Sequence, residues 1–114
     1  MISLLKTILH ALGEGERLCL ATIIRRLRSA PRGLGAKCLM GKRGILWGSV
    51  GGGGLESVVV SRSGEVREKG LPQILQFRLD NTDVAKEGML CGGEVDIFLE
   101  PILPGHESFW TEAH

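Results

Sequence analysis

Gly48-Ser49-Val50-Gly51-Gly52-Gly53-Gly54-Leu55-Glu56 lies between a strand-like run, Gly44 to Trp47, and a helix-compatible run, Leu55 to about Lys69. Four successive glycines suit neither a strand nor a helix interior, because each loses maximal backbone entropy on ordering. They suit a loop whose N–H groups must come close to something. A glycine loop that opens a helix offers unpaired N–H donors and the positive end of the helix dipole, the makings of an anion site. Ser49 adds a hydroxyl at its edge. The P-loop pattern is absent, since no Lys-Ser or Lys-Thr follows Gly53, and the spacing fits GxGxxG poorly. The competing reading is a tight turn packing a strand on the helix that follows it.

Upstream of this loop, Lys37 to Met40 and Gly44 to Gly48 read as two short strands joined at Gly41-Lys42-Arg43-Gly44, a hairpin. Before them Ser29-Ala30-Pro31-Arg32-Gly33-Leu34-Gly35-Ala36 is a loop, rigidified at Pro31. A guanidinium there, Arg32, can hold a phosphate by a two-pronged contact; an exposed surface arginine is the alternative. Arg17 to Ile24 is nearly continuous and apolar with β-branched residues, as a central strand requires. Ile2, Leu5, Ile8, Leu9 and Leu12 recur at helical spacing and Gly13 stops that helix.

Downstream, Glu56 favours the helix dipole while the valines at 58 to 60 and Gly64 weaken the helix, which Gly70 ends. Pro72 to Leu79 is a strand, Asp80 to Asp83 a turn or cap, and Val84 to Glu87 one helical turn. Gly88-Met89-Leu90-Cys91-Gly92-Gly93 is a second glycine-rich loop carrying a thiol. Glu94 to Leu99 is the last strand, with Glu100-Pro101 ending it. The tail from Gly105 to His114 is polar with two aromatics, Phe109 and Trp110, and is expected to be loosely ordered or to pack on a partner.

The chain has 114 residues, one domain's worth, enough to bury a core without staples. A net charge of +1 argues against a general nucleic-acid or membrane-surface binder. Its 17 glycines exceed the usual share of about 7% and point to tight turns or a backbone-lined site. The basic residues cluster: Arg25, Arg26, Arg28, Arg32, Lys37, Lys42 and Arg43 are interrupted by no acid, which favours an anionic ligand or a solvated basic face. Cys19, Cys38 and Cys91 make no zinc or redox spacing, so a disulfide framework is not expected and a cytoplasmic location is. Nothing reaches the length of a membrane span, and no signal peptide is expected.

Taken together and in order, the loops Ser29-Ala30-Pro31-Arg32, Gly48 to Glu56, Gly88 to Gly93 and Leu99-Glu100-Pro101 resemble the N-terminal domain of the XdhC/CoxI family, over about residues 18 to 101. Members of that family are accessory factors for molybdenum hydroxylases such as xanthine dehydrogenase and carbon monoxide dehydrogenase. The resemblance implies a protein that is not itself an enzyme, binds molybdenum cofactor (molybdopterin, or a dinucleotide form) transiently, and assists its sulfuration or insertion into an apo-enzyme. It implies cofactor contacts at Ser29, Pro31, Arg32, Ser49, Gly51, Gly52, Gly53, Glu56, Cys91, Gly92 and Gly93, with the Cys91 thiolate a soft ligand for the metal. A molybdenum hydroxylase, a separate Rossmann-domain accessory chain, a cysteine desulfurase and further copies of the chain are the implied partners.

Two features depart from the family pattern. Gly54 stands where the family usually has cysteine, and the Rossmann-like C-terminal domain is absent, the tail running from 104 to 114. These motivate an alternative, a protein-interaction subunit that docks on a Rossmann-domain chain or a molybdoenzyme without touching cofactor. Cysteine-dependent sulfur transfer through Cys91 is a weaker third reading, since no base lies at a defined spacing from it. The expected fold is α/β: one small domain, a mixed sheet of about five short strands, a helix at the start and a helix after the glycine loop.

Overall fold

The computed structural model describes residues 3–27, 35–51, 53–79 and 93–106. Ser3 opens the first helix, α1 (Leu4–Gly13); its extended backbone lets the hydroxyl accept the Lys6 N–H at 3.1 Å. That satisfies one of the donors a helix start leaves unpaired. Ile8, Ala11 and Leu12 form the buried stripe, and Gly15, at φ +78°, turns the chain toward the sheet.

Five strands follow: β1 (Leu18–Leu27), β2 (Lys37–Gly41), β3 (Gly44–Gly48), β4 (Gln73–Leu79) and β5 (Gly93–Ile102), with the long helix α2 (Gly53–Lys69) between β3 and β4. They pair in the order β3-β2-β1-β5-β4. The small α/β domain of two helices and five strands is therefore as expected. Within the sheet, which was expected to be mixed, all four ladders run antiparallel. The topology explains why: α2 carries the chain from one sheet edge to the other, so β3 and β4 share a direction but never meet.

Alternation along β1 sorts the core into two layers. Cys19, Ala21 and Ile23 face α2 and pack with Cys38, Met40, Leu55, Val59, Val66, Val95, Ile97 and Leu99. Leu18 and Leu20 face α1 and pack with Ile8, Leu12, Leu39 and Ile102. In α2 the buried positions are Leu55, Val59, Ser63 and Val66, a stripe at helical spacing. Ser63 is tolerated there because its hydroxyl donates to the Val60 carbonyl at 2.7 Å. Packing on the sheet outweighs the low propensity of the valines and of Gly64.

Two strands run longer than the sequence suggests. β1 continues through Arg25, Arg26 and Leu27, which pair with Asp96, Val95 and Glu94 after a bulge at Ile24. The Arg25 guanidinium reaches Glu94 at 3.1 Å and Asp96 at 3.5 Å, so charge pairing adds to the ladder along this extension. β5 continues through Glu100 and Pro101 to Ile102 against β1. Pro101 fits because β4 pairs only as far as Leu99, leaving a vacant side where a missing N–H breaks no ladder. Among the described residues, no helix is long and apolar enough to cross a membrane.

Candidate functional site

The register turns toward one end of the sheet the strand ends that flank the Ser29–Arg32, Gly48–Glu56 and Gly88–Gly93 motifs. Leu27 lies opposite Glu94, Lys37 opposite Thr22, Gly48 opposite Cys38, and Leu79 opposite Gly93. β1, β3 and β4 therefore run out, and β2 and β5 begin, at the same end. The chain leaves toward Ser29, Pro31 and Arg32 there, and returns from Cys91 and Gly92 there. These five residues, and Gly52, lie outside the described residues, as does the helical turn expected at 84 to 87. Gly53 is the first residue of α2 and Gly93 the first of β5.

Between β3 and α2 the loop is held from both sides. Gly48 takes φ +77°, and a Cβ there would collide with the Lys37 carbonyl oxygen, so this position needs glycine for both conformation and space. The next N–H, that of Ser49, donates to the same carbonyl at 3.1 Å. Val50 and Leu55 are fully buried and anchor the loop in the α2-side core. The Ser49 hydroxyl donates to Glu56 Oε1 at 2.9 Å and accepts the Gly51 N–H at 3.0 Å. Glu56, in the first turn of α2, thus braces the loop as well as favouring the helix dipole. Ser49 and Glu56 satisfy one another, and the donors the loop has to spare are backbone N–H groups.

A polar set that the sequence does not announce lies on the opposite face of the sheet at this end. Lys37 Nζ donates to Thr22 Oγ1 at 3.2 Å, across the Thr22–Lys37 pair of the β1–β2 ladder. On β5, burial pushes the Glu100 carboxyl above its usual range, and the Lys37 ammonium partly offsets this. Only the cross-strand register brings Thr22, Lys37 and Glu100 onto one face, and register is not written in local sequence.

The remaining chemistry is distributed. Cys19 and Cys38 are free and buried, and desolvation pushes their thiols up to about 12 and about 11. Arg67 pulls the first down and Glu56 adds to the second, but burial dominates both. They remain protonated and inert at neutral pH. No group of three His, Cys, Asp or Glu among the described residues has metal-site geometry. The basic run divides in space: Arg25 is ion-paired and Lys37 faces Glu100 near the motif end, while Lys42 and Arg43 form the β2–β3 turn at the far end.

The family model described as the XdhC and CoxI family matches residues 11–78. No curated protein matches the chain. Among solved structures, a crystal structure described as a xanthine dehydrogenase from Bacillus halodurans superposes with a TM-score of 0.68 at 25% sequence identity. The match covers 92% of this chain and 34% of that one, so the chain spans about a third of the length of that neighbour.

Proposed function

The chain belongs to the XdhC and CoxI family, and we propose that it is an accessory protein to a xanthine or carbon monoxide dehydrogenase that binds molybdenum cofactor transiently at the motif end of the sheet. One observation supports this reading: the strand ends flanking all three glycine- or arginine-bearing motifs point to the same end of the sheet, the end at which α2 starts. The described donors suit such cargo. Glycine-loop N–H groups at a helix start favour the phosphate of a pyranopterin. A carboxylate at Glu56 is an acceptor for pterin N–H groups, not for phosphate. Arg32 and Cys91, reached from the same end, would add a phosphate fork and a soft thiolate. The cofactor brings the molybdenum–sulfur chemistry; this chain's part is to hold and release it.

The test is gel filtration of the purified protein with released molybdenum cofactor, followed by pterin fluorescence after oxidation. Co-elution that weakens in Arg32→Ala and in Cys91→Ser supports the reading. Absence of co-elution at any loading removes it.

A second reading is favoured by a different observation. α1 covers only part of its sheet face, and Ile74, on the edge strand β4, is 58% exposed beside Phe98, with Ile24 at 47%. Apolar residues on an uncovered sheet face suit docking on a partner protein. In that case Ile74→Glu abolishes co-purification with the dehydrogenase or a Rossmann-domain chain, while cofactor co-elution is absent in wild type and variant alike.

A further inference from the structure

At the end of the sheet away from the motif loops, a cleft of about 580 Å³ opens between the end of α1, the β2–β3 turn and the last turns of α2. Its walls carry Arg17, Lys42, Arg43 and Arg67, against the two carboxylates Glu14 and Glu16. The cations come from three separate parts of the fold, so a run of neighbours in sequence does not explain their meeting. Arg17 is committed in part: its Nε–H donates to the Arg67 carbonyl at 2.6 Å and an Nη to the Glu68 carbonyl at 3.1 Å, where α2 leaves acceptors unpaired. Glu16 packs its carboxylate against Gly41, beneath the turn. The Arg67 guanidinium lies near enough to the core to act on Cys19, and its Nε–H is buried with no hydrogen-bond partner.

We propose that this cleft is a binding site for a small phosphate-bearing anion, taken as a diphosphate group. The volume is that of a small-molecule site. Two or more negative charges match cations that outnumber carboxylates two to one, whereas a single carboxylate would leave the excess uncompensated. Arg67 lines the cleft and is half-buried, which strengthens a guanidinium to phosphate bond there. Lys42 and Arg43, exposed on the turn, supply the outer charge. The site is separate from the cofactor end of the sheet and does not rest on the cofactor reading.

The experiment is a titration of ¹⁵N-labelled protein with sodium pyrophosphate, with sodium sulfate at matched ionic strength as control, and with ADP in a parallel arm. Expected are saturable shifts at Arg17, Lys42, Arg43 and the Arg67 Nε–H, with Ser49 to Glu56 unmoved. Lys42→Gln/Arg43→Gln, placed in an exposed turn where folding is not at stake, should weaken binding about tenfold, the effect of losing roughly one charged contact. Arg67→Lys keeps the charge but loses the fork and should also weaken it. Tighter binding of ADP than of pyrophosphate assigns the group to a nucleotide; equal binding assigns it to the phosphates alone. Shifts that do not saturate, equal shifts with sulfate, or unchanged affinity in the double glutamine variant overturn the proposal.

Discussion

Ser49 donates its hydroxyl to Glu56 at 2.9 Å and takes the Gly51 N–H at 3.0 Å, so one side chain locks both the loop and the helix that follows it. The two residues are seven apart and both half-buried. The pair ties the start of a glycine-rich stretch, which has every entropic reason to stay open, to the first turn of α2. Ser49→Ala leaves a carboxylate and an N–H short of a partner and should cost about 1–2 kcal/mol, the usual range for a partly buried bond to a charged acceptor. Urea unfolding of the variant checks this; a midpoint within error of wild type would show that the pair holds nothing. If the loop carries cofactor, affinity should fall in the same variant.

Gly48 and Gly64 make opposite predictions from one substitution. At Gly48 an alanine meets both a positive φ and the Lys37 carbonyl, so Gly48→Ala should destabilise by about 2 kcal/mol or more and loosen the β2–β3 pairing. At Gly64, inside α2, a Cβ would come no closer than 3.7 Å to the guanidinium of Arg67. Gly64→Ala should therefore stabilise by about 0.5–1 kcal/mol through helix propensity and the unfolded chain's lost entropy. Thermal unfolding of the two variants side by side should move the midpoint in opposite directions.

The elements that were legible in the sequence are those whose pattern is local. The α1 stripe, the β2–β3 hairpin turn and the strand–loop–helix passage through Gly48 to Glu56 each follow from spacing or glycine placement within a dozen residues. What was not legible depends on pairing across the sheet. Arg25 and Arg26 look like the start of a loop until Asp96 and Val95 are found opposite them. Pro101 looks like a strand end until the short reach of β4 leaves it a vacant side. Lys37, Thr22 and Glu100 form a set only through register. The same applies to the basic run, which reads as one patch along the chain, yet of its described members Arg25 and Lys37 lie apart from Lys42 and Arg43 in the β2–β3 turn. That the strands leading into and out of the three motifs end on the same side of the sheet is also a property of strand order.

Cys19 and Cys38 should resist thiol reagents in the folded protein, since both are fully buried with thiols pushed up to about 12 and about 11. Ellman titration at pH 8 should show them reacting only at the rate of unfolding, and rapidly in 6 M guanidinium. Prompt reaction of either in the native state would contradict the two-layer core. Because both folded values lie above the unfolded one, stability should also fall as pH rises from about 9 toward them, as the unfolded chain releases protons that the native state retains.

Glu100 sets a second pH dependence, in the acid range. Its carboxyl is raised chiefly by burial, with Lys37 lowering it in part, so the native state holds its proton to higher pH than the unfolded chain does. The associated stability is fully present below the ordinary glutamate pKa. It is lost as pH rises from that value through the raised one, since ionisation then costs more in the folded protein than in the unfolded. Glu100→Gln removes the ionisation and keeps the shape. The variant should differ little from wild type at pH 4 and should be the more stable protein at pH 7, a gap that opens within the window between the two pKa values. Thermal midpoints of both proteins from pH 4 to pH 7 measure it. A gap that closes with rising pH would mean that the Lys37 ammonium, rather than burial, governs this carboxylate, and would recast Glu100 as an ion-pair partner of the sheet face.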